Sequence, residues 1–192
     1  MKNIILASSS PRRKELLKRY NLDFEIIASQ IEERVLPYEE PVQVVMTLAF
    51  QKADDIAKRI NKDAIVIAAD TVVYLDSILG KPKDEEDAFH MLGSLSGKEH
   101  LVITGLALID TSIGKKIVDY ETTKVKFREL TPEKIRSYIS TGEYKDKAGA
   151  YGIQGYGDIL VEYIIGPYSN VVGLPIAKLD KLLEKHFCMK IL

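Results

Sequence analysis

Residues 6–17 read LASSSPRRKELL, and the reading of this stretch decides the fold. The apolar run NIILA (residues 3–7) enters three serines, and Pro11 then opens a helical pattern carrying Leu16 and Leu17. With Ser10 as N-cap and Pro11 as first helical residue, Arg12 and Arg13 fall in the first turn, where unpaired amides and the helix dipole favour negative charge. Two cations are misplaced there unless an anion lies between them and the amides. A strand that passes through a tight serine loop into a helix N-terminus is an anion-binding unit of α/β folds, because N–H groups and hydroxyls converge. The loop lacks the Gly-x-x-x-x-Gly-Lys pattern of a P-loop, and a plain pair of solvated surface arginines is the competing reading.

Outward from this unit, helix and strand alternate. FEIIAS (24–29) reads as a strand, and Pro41 opens a helix through Ile60 with apolar spacing near 3.6. AIVIAAD (64–70) is a continuous apolar run of the kind buried on both faces of a sheet, followed by TVVYLD and a turn at 76–80. KPKDEEDAFHMLGSLSG reads as a helix with Asp84 as N-cap and Gly97 as stop. HLVITGLALID and KKIVDYETTKVKF are two strands in hairpin relation, turned at 112–115, and TPEKIRSYIS is a helix capped by Thr131. A glycine- and tyrosine-rich segment, DKAGAYGIQGYGDILVEYIIGPYSNVVGLP, leads to a last amphipathic helix, Ala177 to His186. The pattern predicts a mixed α/β (α+β) fold over residues 1–192 as a single domain with no separable linker.

The 192 residues, 46% apolar and 29% charged, suffice to bury a core as one domain or two joined lobes. A formal net charge of −1 provides no global positive field for a nucleic-acid backbone or an anionic membrane, so neither is expected as a partner. One cysteine, Cys188, and three scattered histidines argue against an internal disulfide and against a zinc site. With no apolar run of signal-core or membrane-span length, a cytoplasmic location is expected. A homodimer stays open, because an apolar interface and a core face share one periodicity.

Four further places carry chemistry. In the helix from Pro41, Lys52 projects about 20° from Val45, inside the apolar stripe, either snorkelling past the core edge or held to meet an anion. Asp70 ends a buried strand where α/β sheets place ligands, with Thr71 beside it; it could hold a metal, activate water or merely cap a turn. Lys81 in GKP is a cation past the hairpin, and Glu32 and Glu33 supply carboxylates. Four glycines in residues 149–157 allow close approach, Tyr151 and Tyr156 offer aromatic faces, and the Gln154 amide carries donor and acceptor for a planar heterocycle; a glycine-rich β turn with core tyrosines is the competing reading.

With these residues in view, the chain resembles the Maf family of nucleoside triphosphate pyrophosphatases, related in fold to inosine triphosphate pyrophosphatases. The blocks LASSSPRRKELL, IEE, FQKA, AADTVV, LGKP, LSGKEHLVITG, DKAGAYGIQG and GPYSNVVGLP run almost end to end. The resemblance implies two lobes around a central cleft, a long mixed sheet, and a phosphate end held by Ser8, Arg12, Arg13, Lys52 and Lys81. It makes Asp70 the proton acceptor, with Glu33 and Asp70 holding a divalent metal, Mg²⁺ or Mn²⁺. Arg12, Thr71 and Gln154 together resemble the subgroup that hydrolyses dTTP and UTP rather than 7-methyl-GTP. Ser77 departs from the usual hairpin glycine. The alternative function is a non-catalytic nucleotide-binding regulator linked to septum formation.

Overall fold

In the computed structural model, which describes residues 2–20, 22–32 and 39–192, strand β1 (Asn3–Leu6) feeds through the serine loop into helix α1 (Pro11–Lys18). Strand β2 (Phe24–Ile26), helix α2 (Pro41–Arg59) and strand β3 (Ala64–Tyr74) follow, then the short strand β4 (Ile78–Leu79) and helix α3 (Glu85–Leu95). Strands β5 (Glu99–Asp110) and β6 (Lys115–Phe127) precede helix α4 (Pro132–Ile139), and strand β7 (Val161–Ile165) precedes helices α5 (Tyr168–Val172) and α6 (Ile176–Phe187). The strands form one mixed sheet in the order β2-β1-β3-β5-β6-β7, with β4 paired to β3. β1 runs parallel to β2 and β3, whereas the β3/β4 and β6/β7 pairs are antiparallel.

Backbone contacts gather in two units, residues 1–70, 104–121 and 173–192 in the first and 71–103 and 122–172 in the second. Three of the four boundaries fall inside β3, β5 and β6, and the fourth lies between α5 and α6. The first unit buries small side chains: Ala49, Ala53 and Ile56 of α2 lie on Ala64, Val66 and Ala68 of β3 and on Ala107 and Ile109 of β5. The residues of each strand are spaced by two, so one sheet face meets the helix. The second unit packs Leu92 and Leu95 of α3 and Ile135 and Tyr138 of α4 around Phe127, Tyr151 and Leu160.

Three expectations need correction. FEIIAS is a strand only through Ile26, because its neighbour β1 ends at Leu6, the residue paired with Ile26. Asp70 does not end its strand; β3 continues through Val72 and Val73, whose β-branched side chains suit extended backbone. Tyr151 offers no open face, since its ring is buried against His100 and Phe127, whereas Tyr156 is exposed. At the departure noted above, Ser77 has no positive φ and its carbonyl accepts from the Leu75 N–H, so no glycine is required there.

His100 is 2% exposed; its Nε2 pairs with the Tyr151 hydroxyl at 2.8 Å, and its Nδ1 has no hydrogen-bond partner. Burial pushes its pKa from 6.5 down to about 4. The unfolded chain therefore binds a proton that the folded chain refuses, so this residue subtracts stability as pH falls from about 6.5 toward 4. The expected slope is at most about 1.4 kcal/mol per pH unit, shrinking in His100→Gln. Urea unfolding at successive pH values checks this; an identical slope in the variant removes His100 as its source.

Candidate active site

The serine loop leaves β1 just beyond its last pairing with β3, where Leu6 stands opposite Ile67 and the Ala7 N–H donates to the Ile67 carbonyl at 2.7 Å. Because the strands are parallel, Asp70 lies about 10 Å further along β3, past the end of β1, where the loop turns into α1. Ligands of open α/β sheets gather beyond such strand ends.

Alternation also decides which way Asp70 points. Ala64, Val66 and Ala68 pack on α2, and Asp70 is next on that row. Lys52 stands one residue before Ala53, which is part of the same contact, and its Nζ donates to Asp70 Oδ1 at 2.5 Å. The two side chains are only 13% and 10% exposed. Desolvating two charges costs about as much as their attraction returns, so such a pair is weak as a device for stability. An ammonium and a carboxylate held together on a buried strand, past the end of its neighbour β1, are instead suited to binding an anion beside a base.

Around the loop, Ser8 is buried, and its Oγ accepts from the Ser10 N–H at 3.2 Å and from Arg13 Nη1 at 3.5 Å. Arg13 Nε donates to the Gly173 carbonyl at 2.7 Å, which fixes the guanidinium against the loop. Ser10 is the N-cap, but its side chain makes no capping bond, and the first turn of α1 holds no acidic residue. The amides there keep their partial positive charge with Arg12 half-buried in the same turn. On α2, Asp55 Oδ2 accepts from Ser29 Oγ and the Gln30 N–H, fastening the segment that runs into Glu32. Burial would raise the Asp55 pKa, yet the hydrogen bonds from Ser29, Gln30 and Arg59 hold it below the usual carboxylate value. Glu33 lies outside the described residues.

Three expected residues belong to the second unit. Thr71 is half-buried on β3, and Lys81 is exposed. The carbonyl of Gly80, next to Lys81, accepts from the Gly149 N–H at 3.0 Å, so the GKP turn is bonded to the start of the glycine-rich loop. Gln154 sits half-buried between two 3₁₀ turns, Ala148–Ala150 and Tyr156–Leu160. Sequence reasoning missed Glu143, whose carboxylate bonds to the backbone of this loop. Its only signal was that it is one of two acids, with Asp146, ahead of a run of glycines.

The family model described as "Maf-like protein" matches residues 3–186. Among curated relatives, the dTTP/UTP pyrophosphatase of Caldanaerobacter subterraneus subsp. tengcongensis is 55% identical over 97% of this chain and 90% of its own. The dTTP/UTP pyrophosphatase of Alkaliphilus metalliredigens is 50% identical over the whole of both chains. A solved HAM1 protein from Coxiella burnetii shares the fold at 15% identity, with a TM-score of 0.51 over 96% of this chain and all of that one.

Proposed function

The chain belongs to the Maf-like protein family, and from that premise we propose that it is a nucleoside triphosphate pyrophosphatase that hydrolyses dTTP and UTP between the α- and β-phosphates. The observation that carries the chemistry is the Lys52–Asp70 pair, buried on β3 beyond the point where its pairing with β1 ends. Ser8, the α1 amides, Arg12, Arg13, Lys52 and Lys81 serve the phosphate chain. Gln154, with Thr71 and Arg12, serves the base, because a side-chain amide complements the adjacent N–H and C=O of a uracil-type edge.

In the reaction, Asp70 accepts a proton from a water molecule as its oxygen attacks the α-phosphorus. The bond from that phosphorus to the bridging oxygen breaks, and pyrophosphate leaves with the electron pair. Arg12, Arg13, Lys52 and Lys81 stabilise the charge that grows on the leaving group. Lys52, already within hydrogen-bond distance of Asp70, can hold a phosphate oxygen beside the base. Among the described residues no three Asp, Glu, His or Cys side chains are placed to hold a metal ion. A magnesium-like ion bound through substrate phosphates needs only one or two carboxylates, and Asp70 fits as a hard-oxygen donor, with Glu33 as its proposed companion. Such an ion, Mg²⁺ or Mn²⁺, neutralises phosphate charge and polarises the phosphoryl group when bound.

The test of this assignment uses Arg12→Ala. The variant binds a non-hydrolysable dTTP analogue at least about tenfold more weakly, while its affinity for thymidine changes less than about twofold. Calorimetry or competition binding reads both, and an equal loss for the uncharged nucleoside takes Arg12 off the phosphates. A single domain of 192 residues acting on a nucleotide fits the chain's size. Among the described residues no helix is long and apolar enough to cross a membrane.

A further inference from the structure

The carboxylate of Glu143, in the turn after α4, is committed to the backbone that follows Gln154 and, through the Tyr138 hydroxyl, to the backbone that precedes it. Its Oε2 accepts from the Tyr156 N–H at 2.7 Å, and its Oε1 accepts from the Gly157 N–H at 3.1 Å. Oε1 also accepts from the Tyr138 hydroxyl at 3.2 Å, and that hydroxyl accepts from the Gly152 N–H at 3.2 Å. One carboxylate thus ties down the chain two residues before Gln154 and two and three residues after it.

Two features show that the arrangement is built in. Tyr138 is 4% exposed within the core of its unit, so the relay to Gly152 is braced from below. At Gly155, next to Gln154, an added Cβ would lie 2.1 Å from Glu143 Oε2. Only glycine lets the carboxylate come so near, and bonds from N–H groups to an ionised acceptor are the strong kind.

We propose that Glu143 is the positioning residue that sets the Gln154 amide for base recognition, acting on selectivity through Gln154 and not on the phosphate end. The proposal rests on Gln154 being the residue that meets the base. A glutamine at 143 keeps the shape but supplies one acceptor oxygen in place of two, so a loop amide is left facing an NH₂ group. A selectivity built on a fixed hydrogen-bonding edge is lost when that edge moves.

The experiment compares kcat/KM for UTP and ATP, and inhibition by inorganic tripolyphosphate, in wild type, Glu143→Gln, Gln154→Ala and the double variant. Glu143→Gln is expected to lower the UTP:ATP preference at least about tenfold while the tripolyphosphate inhibition constant stays within about twofold. In the Gln154→Ala background, adding Glu143→Gln is expected to change the preference less than about twofold, because the residue through which it acts is gone. Tyr138→Phe, which removes the relay to Gly152 and leaves the Glu143 carboxylate its bonds to Tyr156 and Gly157, is expected to give a smaller loss of preference in the same direction. An unchanged preference in Glu143→Gln with tripolyphosphate binding intact overturns the proposal, as does an equal loss in both backgrounds. If Glu143→Gln no longer binds tripolyphosphate, Tyr138→Phe with and without Gln154→Ala decides by the same criteria. If Gln154→Ala alone leaves the preference unchanged, the base role of Gln154 falls and takes this proposal with it, a result distinct from a silent Glu143→Gln.

Discussion

Replacing Asp70 by asparagine is expected to lower kcat on dTTP at least about 100-fold while affinity for a non-hydrolysable analogue changes less than about fivefold, the range of a lost general base. Asparagine has the same shape, and its Oδ1 can still accept from Lys52 Nζ, so the helix–strand contact survives the exchange. What it cannot do is take a proton. Coupled detection of pyrophosphate gives kcat, and calorimetry with the analogue gives affinity. Turnover that survives the substitution removes Asp70 as the proton acceptor. A collapse of affinity alone would instead make it a binding group.

Gly105→Ala is expected to destabilise the protein by about 3 kcal/mol, a fall in Tm of roughly 6–12 °C. The residue lies on β5 under α2, and an added Cβ would stand 2.2 Å from the Val45 carbonyl oxygen and 2.8 Å from the Met46 nitrogen. Both are backbone atoms of a helix, so relief requires moving α2 and cannot come from a rotamer change. Val45 is two turns from Lys52 on that helix, so the shift also draws Lys52 from Asp70 and lowers activity in protein that is still folded. Thermal unfolding with activity below the transition reads both effects; an unchanged Tm contradicts the close approach of α2 to β5.

Much of the first unit was legible in the residues. Ser10 and Pro11 mark the start of α1 by their own conformational preferences, and α2 carries enough apolar repeats to declare its inner face. The partner of Lys52 was not legible, because it depends on the depth at which α2 lies across β3, which the small side chains Ala49, Ala53, Ala64 and Ala68 decide together. The length of β2 depended on where β1 stops, a property of the neighbour. Within the glycine-rich loop, composition marked a place for close approach and allowed core tyrosines, but did not say that Tyr151 turns into the core toward His100 while Tyr156 stays exposed. Glu143 escaped notice because backbone N–H groups, its partners, leave no mark in a sequence.

The most direct measurement of the central claim is a product analysis: dTTP and UTP incubated with the protein and Mg²⁺ or Mn²⁺, resolved by phosphorus NMR. Cleavage beside the α-phosphorus by water gives only the nucleoside monophosphate and pyrophosphate, with release lost in Asp70→Asn. Nucleoside diphosphate with orthophosphate would contradict the assigned site of attack, and bound but intact triphosphate would make the protein a nucleotide-binding regulator.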